Sequence, residues 1–384
     1  MKRFLLALGL AMILASPAWA GPVPDCCSPR YDHTVMQSYR QIMFKMSVYA
    51  QPPRAGQGVR LGVYQAQGAY GQGAIPKNMA RLEEAVKQAA QRGVQLLSFP
   101  ELYVNGYTMS RPEAQAEAEF ANGPIVTKCR AIAKQYKMAL LVPYAEKTKG
   151  KNGRPMYFDS IAVIAADGEL VASYKKTHLW GRDERANWSF GDKLCPVFKV
   201  NGFPVSVLNC YECEFPELTR ILALKGAKLV VGPTAADCYA TQPNGQRSAV
   251  PYPDISRLLI PAYAYANNIF FAYSNHCGYE SLKGVEWHYR GNSIICGPHG
   301  DVIVAANHQQ DTMLIADVIP AFYGASHPES DYLKDRRPDL YKELVAPKCD
   351  FVPGGWVYPQ YKDGKEIMPK GEKLPKGERQ TKGN

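Results

Sequence analysis

The sequence predicts an α/β domain in which helices cover a β-sheet. Apolar, strand-like segments alternate with amphipathic helical segments over residues 59–318, and hairpins join some neighbouring strands. The chain has 384 residues, of which 46% are hydrophobic and 21% are charged, so a large core can form. No linker or internal repeat interrupts this stretch, and we therefore interpret it as one domain.

The elements follow one another in a regular order. The first strand covers Val59–Gln65, and the helix over Asn78–Arg92 has apolar residues at helical spacing on one face, with Gly93 as its end. The next strand, Val94–Phe99, ends just before Glu101. The remaining predicted elements are helices over Val126–Tyr136, Phe215–Leu224 and Ile260–Asn267, and strands over Met138–Val142, Ile161–Ala165, Leu170–Tyr174, Pro204–Leu208, Lys228–Val231, Ile269–Ser274 and Ser293–Cys296.

The first twenty residues have the pattern of a secretory signal peptide. Lys2 and Arg3 precede an apolar stretch that is too short to span a membrane, and Ala18-Trp19-Ala20 fits a cleavage site. We expect an exported protein, periplasmic or secreted, without a stable membrane anchor. A retained anchor is the alternative interpretation.

The predicted organisation has three further parts. Residues 21–58 form an extended or partly ordered arm, residues 59–320 form the main α/β domain, and residues 321–384 form a C-terminal extension. The formal charge of +10 includes two positive charges in the signal and a net +3 in residues 361–384. Because no basic stripe is interleaved with aromatic residues, we expect no nucleic-acid partner.

Ten cysteines leave the disulfide pattern open. Export permits disulfides, and Cys26 and Cys27 in the predicted arm are candidates for a bridge. If Cys210 is a free nucleophile, an odd number remains, so at least one more is unpaired or pairs between chains. Cys210 and Cys213 also form a Cys-x-x-Cys pair, which in other proteins serves redox or zinc chemistry. A disulfide between them would disable the thiol, and we interpret Cys213 as a packing residue.

Three separate strand-like segments each end in one reactive polar residue. These residues are Glu101, Lys176 and Cys210. A thiol can attack a carbon–nitrogen bond while a carboxylate moves protons and a cation stabilises the developing negative charge. The three segments therefore indicate nucleophilic hydrolysis, provided that the fold brings them together.

Cys210 lies at a predicted strand-to-helix turn, where the helix begins near Pro216. A helix N-terminus and a lysine would lower the pKa of the thiol, and the Tyr211 N–H could form half of an oxyanion site. A buried structural cysteine is the alternative. A catalytic pair of Cys210 with His178, His276 or His288 is a further alternative. We favour it less, because a histidine in an α/β protein is more often an ordinary hydrogen-bonding residue.

The pair Lys175-Lys176 ends a strand. Strand alternation points the two side chains to opposite faces, so one of them should face inward. A buried lysine needs a carboxylate partner, which Glu101 or Glu184 could supply. A solvated hairpin end is the alternative interpretation.

Three blocks of sequence together resemble the carbon–nitrogen hydrolase (nitrilase) superfamily. They are Leu97–Leu102 with Asn105-Gly106-Tyr107, Tyr174–Trp180 with Glu184, and Cys210-Tyr211-Glu212 with Phe215-Pro216-Glu217. The resemblance covers residues 59–318 and implies a four-layer α-β-β-α sandwich. It assigns Glu101 as general base, Lys176 as oxyanion stabiliser and Cys210 as nucleophile. Glu184 would position the substrate, Tyr211 would lend its N–H, and no metal or organic cofactor is implied.

Departures from the family pattern shape the functional prediction. Tyr211 after the cysteine favours an amidase over a nitrilase, Glu212 stands where amidases most often have Asp, and Asp237–Asp254 resembles an insertion that shapes substrate access. We expect an exported amidase that acts on a small linear amide and, by resemblance, forms a homodimer. A nitrilase with the same triad and a non-catalytic binding scaffold are the alternatives.

Overall fold

The computed structural model describes residues 41–151, 153–241, 247–307, 310–327, 329–345, 360–362 and 365–367. The predicted signal peptide and the cysteines at positions 26, 27 and 349 lie outside these residues. The helices of the described part are α1 (Ala74–Ala90), α2 (Arg111–Glu117), α3 (Pro124–Tyr136), α4 (Gly181–Asn187), α5 (Pro216–Leu224) and α6 (Ile255–Asn267). None of the described helices is long and apolar enough to cross a membrane.

Most of the strands build two mixed sheets. They are β1 (Met43–Ser47), β2 (Val59–Gln65), β3 (Leu96–Ser98), β4 (Ala139–Lys149), β5 (Pro155–Ile164), β6 (Leu170–Lys175), β7 (Phe198–Val200), β8 (Phe203–Val207), β9 (Leu229–Thr234), β10 (Tyr239–Thr241), β11 (Arg247–Pro251), β12 (Phe270–Asn275), β13 (Tyr279–Leu282), β14 (Val285–His288), β15 (Ile294–Cys296), β16 (Val302–Ala305), β17 (Thr312–Val318), β18 (Gln360–Lys362) and β19 (Lys365–Ile367).

The first sheet has seven strands in the order β1-β17-β2-β3-β4-β5-β6. Strands β2, β3 and β4 run parallel, and the antiparallel β4–β5–β6 meander brings the end of β6 to the same edge as the end of β3. In α/β proteins, ligands bind beyond the carboxyl ends of the parallel strands. This edge carries the segments that contain Glu101 and Lys176.

The second sheet has six strands in the order β16-β15-β12-β9-β8-β7. Its three central strands, β8, β9 and β12, are parallel, and β8 leads directly towards Cys210. The two sheets pack face to face through a shared apolar core, in which Leu61 and Val63 of β2 meet Val205 and Val207 of β8. Separate apolar clusters fix α1 and α3 on the first sheet and α5 and α6 on the second. The predicted α-β-β-α sandwich is therefore confirmed.

Some elements differ from the predicted ones in their bounds. Helix α1 begins at Ala74, not at Asn78, and the buried Asn78 amide bonds the backbone of Ala69 and the Val104 carbonyl. Helix α6 begins at Ile255 and accommodates Pro261 in its interior. Strand β1 lies within the predicted arm and pairs in parallel with β17.

Candidate active site

Glu101 lies in the turn that follows β3, at the interface between the two sheets. Its side chain is fully buried. Its backbone N–H donates to the carbonyl of Thr234 at the end of β9, at 3.3 Å. Its own carbonyl accepts a hydrogen bond from His276 Nε2 at 2.6 Å. Backbone contacts to the second sheet therefore hold the carboxylate in place, and His276 contributes to its position rather than acting as a base towards the thiol.

Lys176 follows the last residue of β6, and its ammonium group is fully buried. The ammonium lies 2.5 Å from Glu101 Oε1 and 2.8 Å from Glu184 Oε1. Lys175 points the other way and forms an ion pair with Glu146. The predicted alternation is thus confirmed, and both candidate carboxylates serve as partners of the inward lysine. Burial alone would lower the pKa of Lys176, but the Glu101 and Glu184 charges raise that pKa well above its usual value.

Glu184 is held on three sides. Helix α4 carries it, and its carboxylate accepts hydrogen bonds from the Tyr107 hydroxyl and the Trp180 N–H, both at 2.7 Å, in addition to the lysine. Burial raises the pKa of Glu184, whereas the Lys176 charge opposes that rise. Tyr107 belongs to the first sequence block, but its hydroxyl contact with Glu184 was not predicted.

Cys210 begins the 3₁₀ turn that connects β8 to α5. Its φ angle of +52° places a non-glycine residue in the left-handed region, a conformation that functional turns often hold against its energetic cost. The thiol is free and half-buried.

The predicted lowering of the Cys210 pKa is wrong. Burial raises the pKa of the thiol well above its usual value, and the charges of Glu101 and Glu184 raise it further, against the opposing effect of Lys176. The helix begins at Pro216, as the sequence predicted, and its N-terminus does not outweigh burial and the two carboxylates. The thiol therefore carries its proton in the resting protein, and a base must remove that proton during attack.

Glu212 links the lysine segment to the cysteine turn. Its fully buried carboxylate accepts hydrogen bonds from the N–H and hydroxyl of Thr177, each at 2.5 Å, and from the Tyr174 hydroxyl and Asn209 N–H, each at 2.7 Å. The residue that the sequence marked only as a departure from Asp thus connects the residues that flank Lys176 and Cys210.

Asp159 is a buried member of the cluster that sequence reasoning missed. It lies on β5, with one oxygen 3.6 Å from the Lys176 ammonium and the other bonded by the Asn209 amide at 3.0 Å. An Asp inside the apolar stretch Phe158–Ile164 was the available signal. Oxygens of Glu101, Asp159 and Glu184 lie within 4.8 Å of one another, close enough to hold a cation. The Lys176 ammonium contacts all three and provides that positive charge.

The segment predicted as an insertion packs beside the cysteine turn. Its described parts include β10 and β11, which pair antiparallel. The Tyr252 hydroxyl donates to Glu214 at 3.0 Å, and its ring makes an edge contact with Trp180. Burial raises the pKa of Glu214 to about 7. These contacts join Tyr252 to Glu214, the last residue of the 3₁₀ turn that Cys210 begins.

Apart from Cys210, the cysteines of the described residues are buried. They are the free thiols Cys129, Cys195, Cys213 and Cys296, together with Cys238 and Cys277. Cys213 packs against β9, since a Cβ atom added to Gly232 would lie 2.5 Å from its sulfur. This arrangement agrees with a packing role for Cys213.

A family comparison agrees with this arrangement. The model of the carbon-nitrogen hydrolase family matches residues 60–326. The chain belongs to this family. A protein described as "Hydrolase in pqqF 5'region" from Pseudomonas protegens is 32% identical over 270 residues, which cover 70% of this chain and 87% of that protein. The N-carbamoylputrescine amidase of Arabidopsis thaliana is 26% identical over 283 residues, 71% of this chain and 91% of the relative.

Solved structures of amidases share the fold. A variant of the amidase from Nesterenkonia sp. AN1 is 27% identical, with a TM-score of 0.59 over 77% of this chain and 100% of the amidase. That structure shows the acetamide moiety of fluoroacetamide added covalently at the active-site cysteine. This carbon–nitrogen hydrolase is thus amidase-like in both sequence and architecture.

Proposed function

We propose that this protein hydrolyses the C–N bond of a small linear amide to a carboxylic acid and ammonia, through a thioester on Cys210. The observation that carries the proposal is the fully buried Lys176 ammonium, which contacts Glu101 and Glu184. Its charge also opposes the rise in the pKa of the Cys210 thiol. A buried cation paired with carboxylates beside a half-buried thiol matches the requirements of acyl transfer.

Glu101 acts as the base in the first step. Because the thiol of Cys210 carries its proton, transfer of that proton to Glu101 accompanies attack of the sulfur on the amide carbon. The Lys176 ammonium and the Tyr211 N–H stabilise the oxyanion. Glu101 then gives the proton to the amide nitrogen, the C–N bond breaks and ammonia leaves.

The second step releases the acid. Glu101 takes a proton from water, the resulting hydroxyl attacks the thioester, and the S–C bond breaks as Cys210 recovers its proton. Glu184 keeps its hydrogen bonds to Lys176, Tyr107 and Trp180 throughout the reaction and holds the Lys176 ammonium in a fixed orientation. Tyr252, which donates to Glu214 of the Cys210 turn, contributes to substrate selection by shape.

Export through residues 1–20 and assembly as a homodimer form part of the same proposal. They rest on the leader pattern and the family resemblance, respectively. Fractionation of the expressing cell with N-terminal sequencing of the recovered chain tests the first. Sedimentation of the purified protein tests the second.

The function is tested with a panel of short linear amides, N-carbamoyl amines and nitriles of matched chain length, with released ammonia as the readout. We expect hydrolysis of amides, loss of turnover in Cys210→Ala and retained turnover in Cys213→Ala, the matched control three residues away in the same turn. Turnover confined to nitriles favours the nitrilase alternative. Ammonia release by Cys210→Ala at the wild-type rate contradicts the nucleophile assignment, and an inert protein whose Cys210 resists thiol reagents favours the binding scaffold.

A further inference from the structure

Asp159 touches the segments that carry all three predicted catalytic residues, yet the mechanism above gives it no role. Its Oδ1 accepts from the Asn209 amide at 3.0 Å, directly before Cys210 in the chain. Its Oδ2 lies 3.6 Å from the Lys176 ammonium. A carboxylate oxygen of Asp159 and one of Glu101 lie within 4.8 Å of each other. One fully buried carboxyl group therefore joins three strand ends.

One oxygen of Glu101 and one of Asp159 have no hydrogen-bond donor in the described part of the chain. Among the described residues, no hydrogen bond reaches Glu101 Oε2 or Asp159 Oδ2, although both atoms are buried. Two ionised carboxylates this close together repel each other strongly in a fully buried site. A single proton between them removes the repulsion and satisfies both oxygens.

The surrounding charges decide which residue holds that proton. Glu101 has the ammonium at 2.5 Å and is the better stabilised anion, whereas Asp159 has the ammonium at 3.6 Å and one neutral amide donor. The ionisable groups that face Asp159 are Glu101 after β3, Lys176 after β6 and Glu184 of α4, with Cys210 just beyond Asn209. Burial and the Glu101 charge raise the pKa of Asp159 well above its usual value, against the effect of Lys176.

We propose that Asp159 is a positioning residue that holds a proton on Oδ2 and donates it in a hydrogen bond to Glu101 Oε2. The bond keeps Glu101 ionised and fixes the orientation of its carboxylate plane. It also limits the cluster to two anions, Glu101 and Glu184, around Lys176. The inference rests on the proposed role of Glu101 as base, but the presence of the proton is testable without any substrate.

Infrared spectroscopy detects the proton directly. We expect wild-type protein at neutral pH to show the carbonyl stretch of a protonated carboxylic acid that shifts on aspartate-specific ¹³C labelling. Asp159→Asn should lack this band. Glu146→Gln should retain it, because Glu146 is also buried in the first sheet but bonds Ser173 and Lys175 instead. Absence of an aspartate-derived band in the wild type shows that Asp159 is ionised and overturns the proposal, even if neither variant folds.

Kinetics test the positioning role. An Asn at 159 can still donate to Glu101, so Asp159→Asn should keep kcat/KM within about tenfold of the wild type. Its pH profile should lose the basic limb that reports loss of the shared proton. Asp159→Ala cannot donate, and its kcat should fall by about 100-fold with a smaller change in KM. Equal losses in both variants, or an unchanged basic limb in Asp159→Asn, overturn the positioning role.

The infrared result separates this proposal from the proposed function. A wild-type protein that shows the aspartate band but hydrolyses no amide refutes the amidase function and leaves the shared proton unaffected.

Discussion

Glu212 offers the sharpest test of how the site is held together. Its carboxylate accepts four hydrogen bonds from Thr177, Tyr174 and Asn209, and no part of its side chain is exposed. In Glu212→Gln, one oxygen becomes an NH₂ group that faces two donors. A hydrogen bond to a charged group contributes about 1.5–3 kcal/mol, so loss of two such bonds and removal of the charge predict a destabilisation of about 3–5 kcal/mol.

Urea unfolding of Glu212→Gln and the wild type at neutral pH measures this difference in the free energy of unfolding. The free energy of unfolding should depend on urea concentration with the same slope in both proteins, which shows that their unfolded states are comparable. Glu146→Gln is the matched control, since its buried carboxylate bonds one hydroxyl and a half-buried lysine. We expect the control to lose about 1 kcal/mol. We also expect kcat of Glu212→Gln to fall by about 100-fold, because the segments of Lys176 and Cys210 lose their common anchor. A loss of stability no larger than that of the control would refute the reasoning.

Three further predictions concern the same cluster. Lys176→Met leaves three buried carboxyl groups without their cation and should cost about 3–5 kcal/mol at neutral pH. That loss should shrink below pH 5, because the raised pKa values of Asp159 and Glu184 favour folding once these groups are protonated, and pH-dependent urea unfolding checks it. Alkylation of Cys210 by iodoacetamide should keep accelerating above neutral pH, since the pKa of the thiol is raised; a rate that is already constant at pH 7 would contradict this. Gly232→Ala should destabilise by about 1–3 kcal/mol through contact with the Cys213 sulfur, and addition of Cys213→Ala should restore most of the loss in thermal unfolding.

Local sequence signals predicted much of this molecule. Apolar runs and helical spacing located most strands of both sheets but not β1, β7, β16 or β17. The strand-end positions of Glu101, Lys176 and Cys210 identified the candidate triad. Strand alternation predicted that one of the neighbours Lys175 and Lys176 faces inward, and the family resemblance singled out Lys176. These properties depend on residues close together in the chain, and for that reason a single sequence contains them.

What could not be predicted depends on contacts between distant segments. Asp159 is a residue of β5 whose importance appears only when β6 and the Cys210 turn pack beside it. Glu212 owes its role to Thr177, 35 positions away. The direction of the Cys210 pKa shift was predicted wrongly because the balance of burial, two carboxylates and one ammonium is a three-dimensional property.

The central claim is that Cys210 forms a covalent acyl intermediate, and rapid acid quenching during turnover of a short linear amide tests it most directly. Mass spectrometry of the digested protein should find the acyl group on the peptide at Cys210, at a level that rises and decays with turnover, and never at Cys213. An unmodified Cys210 peptide throughout turnover, together with continued ammonia release by Cys210→Ala, would contradict the account.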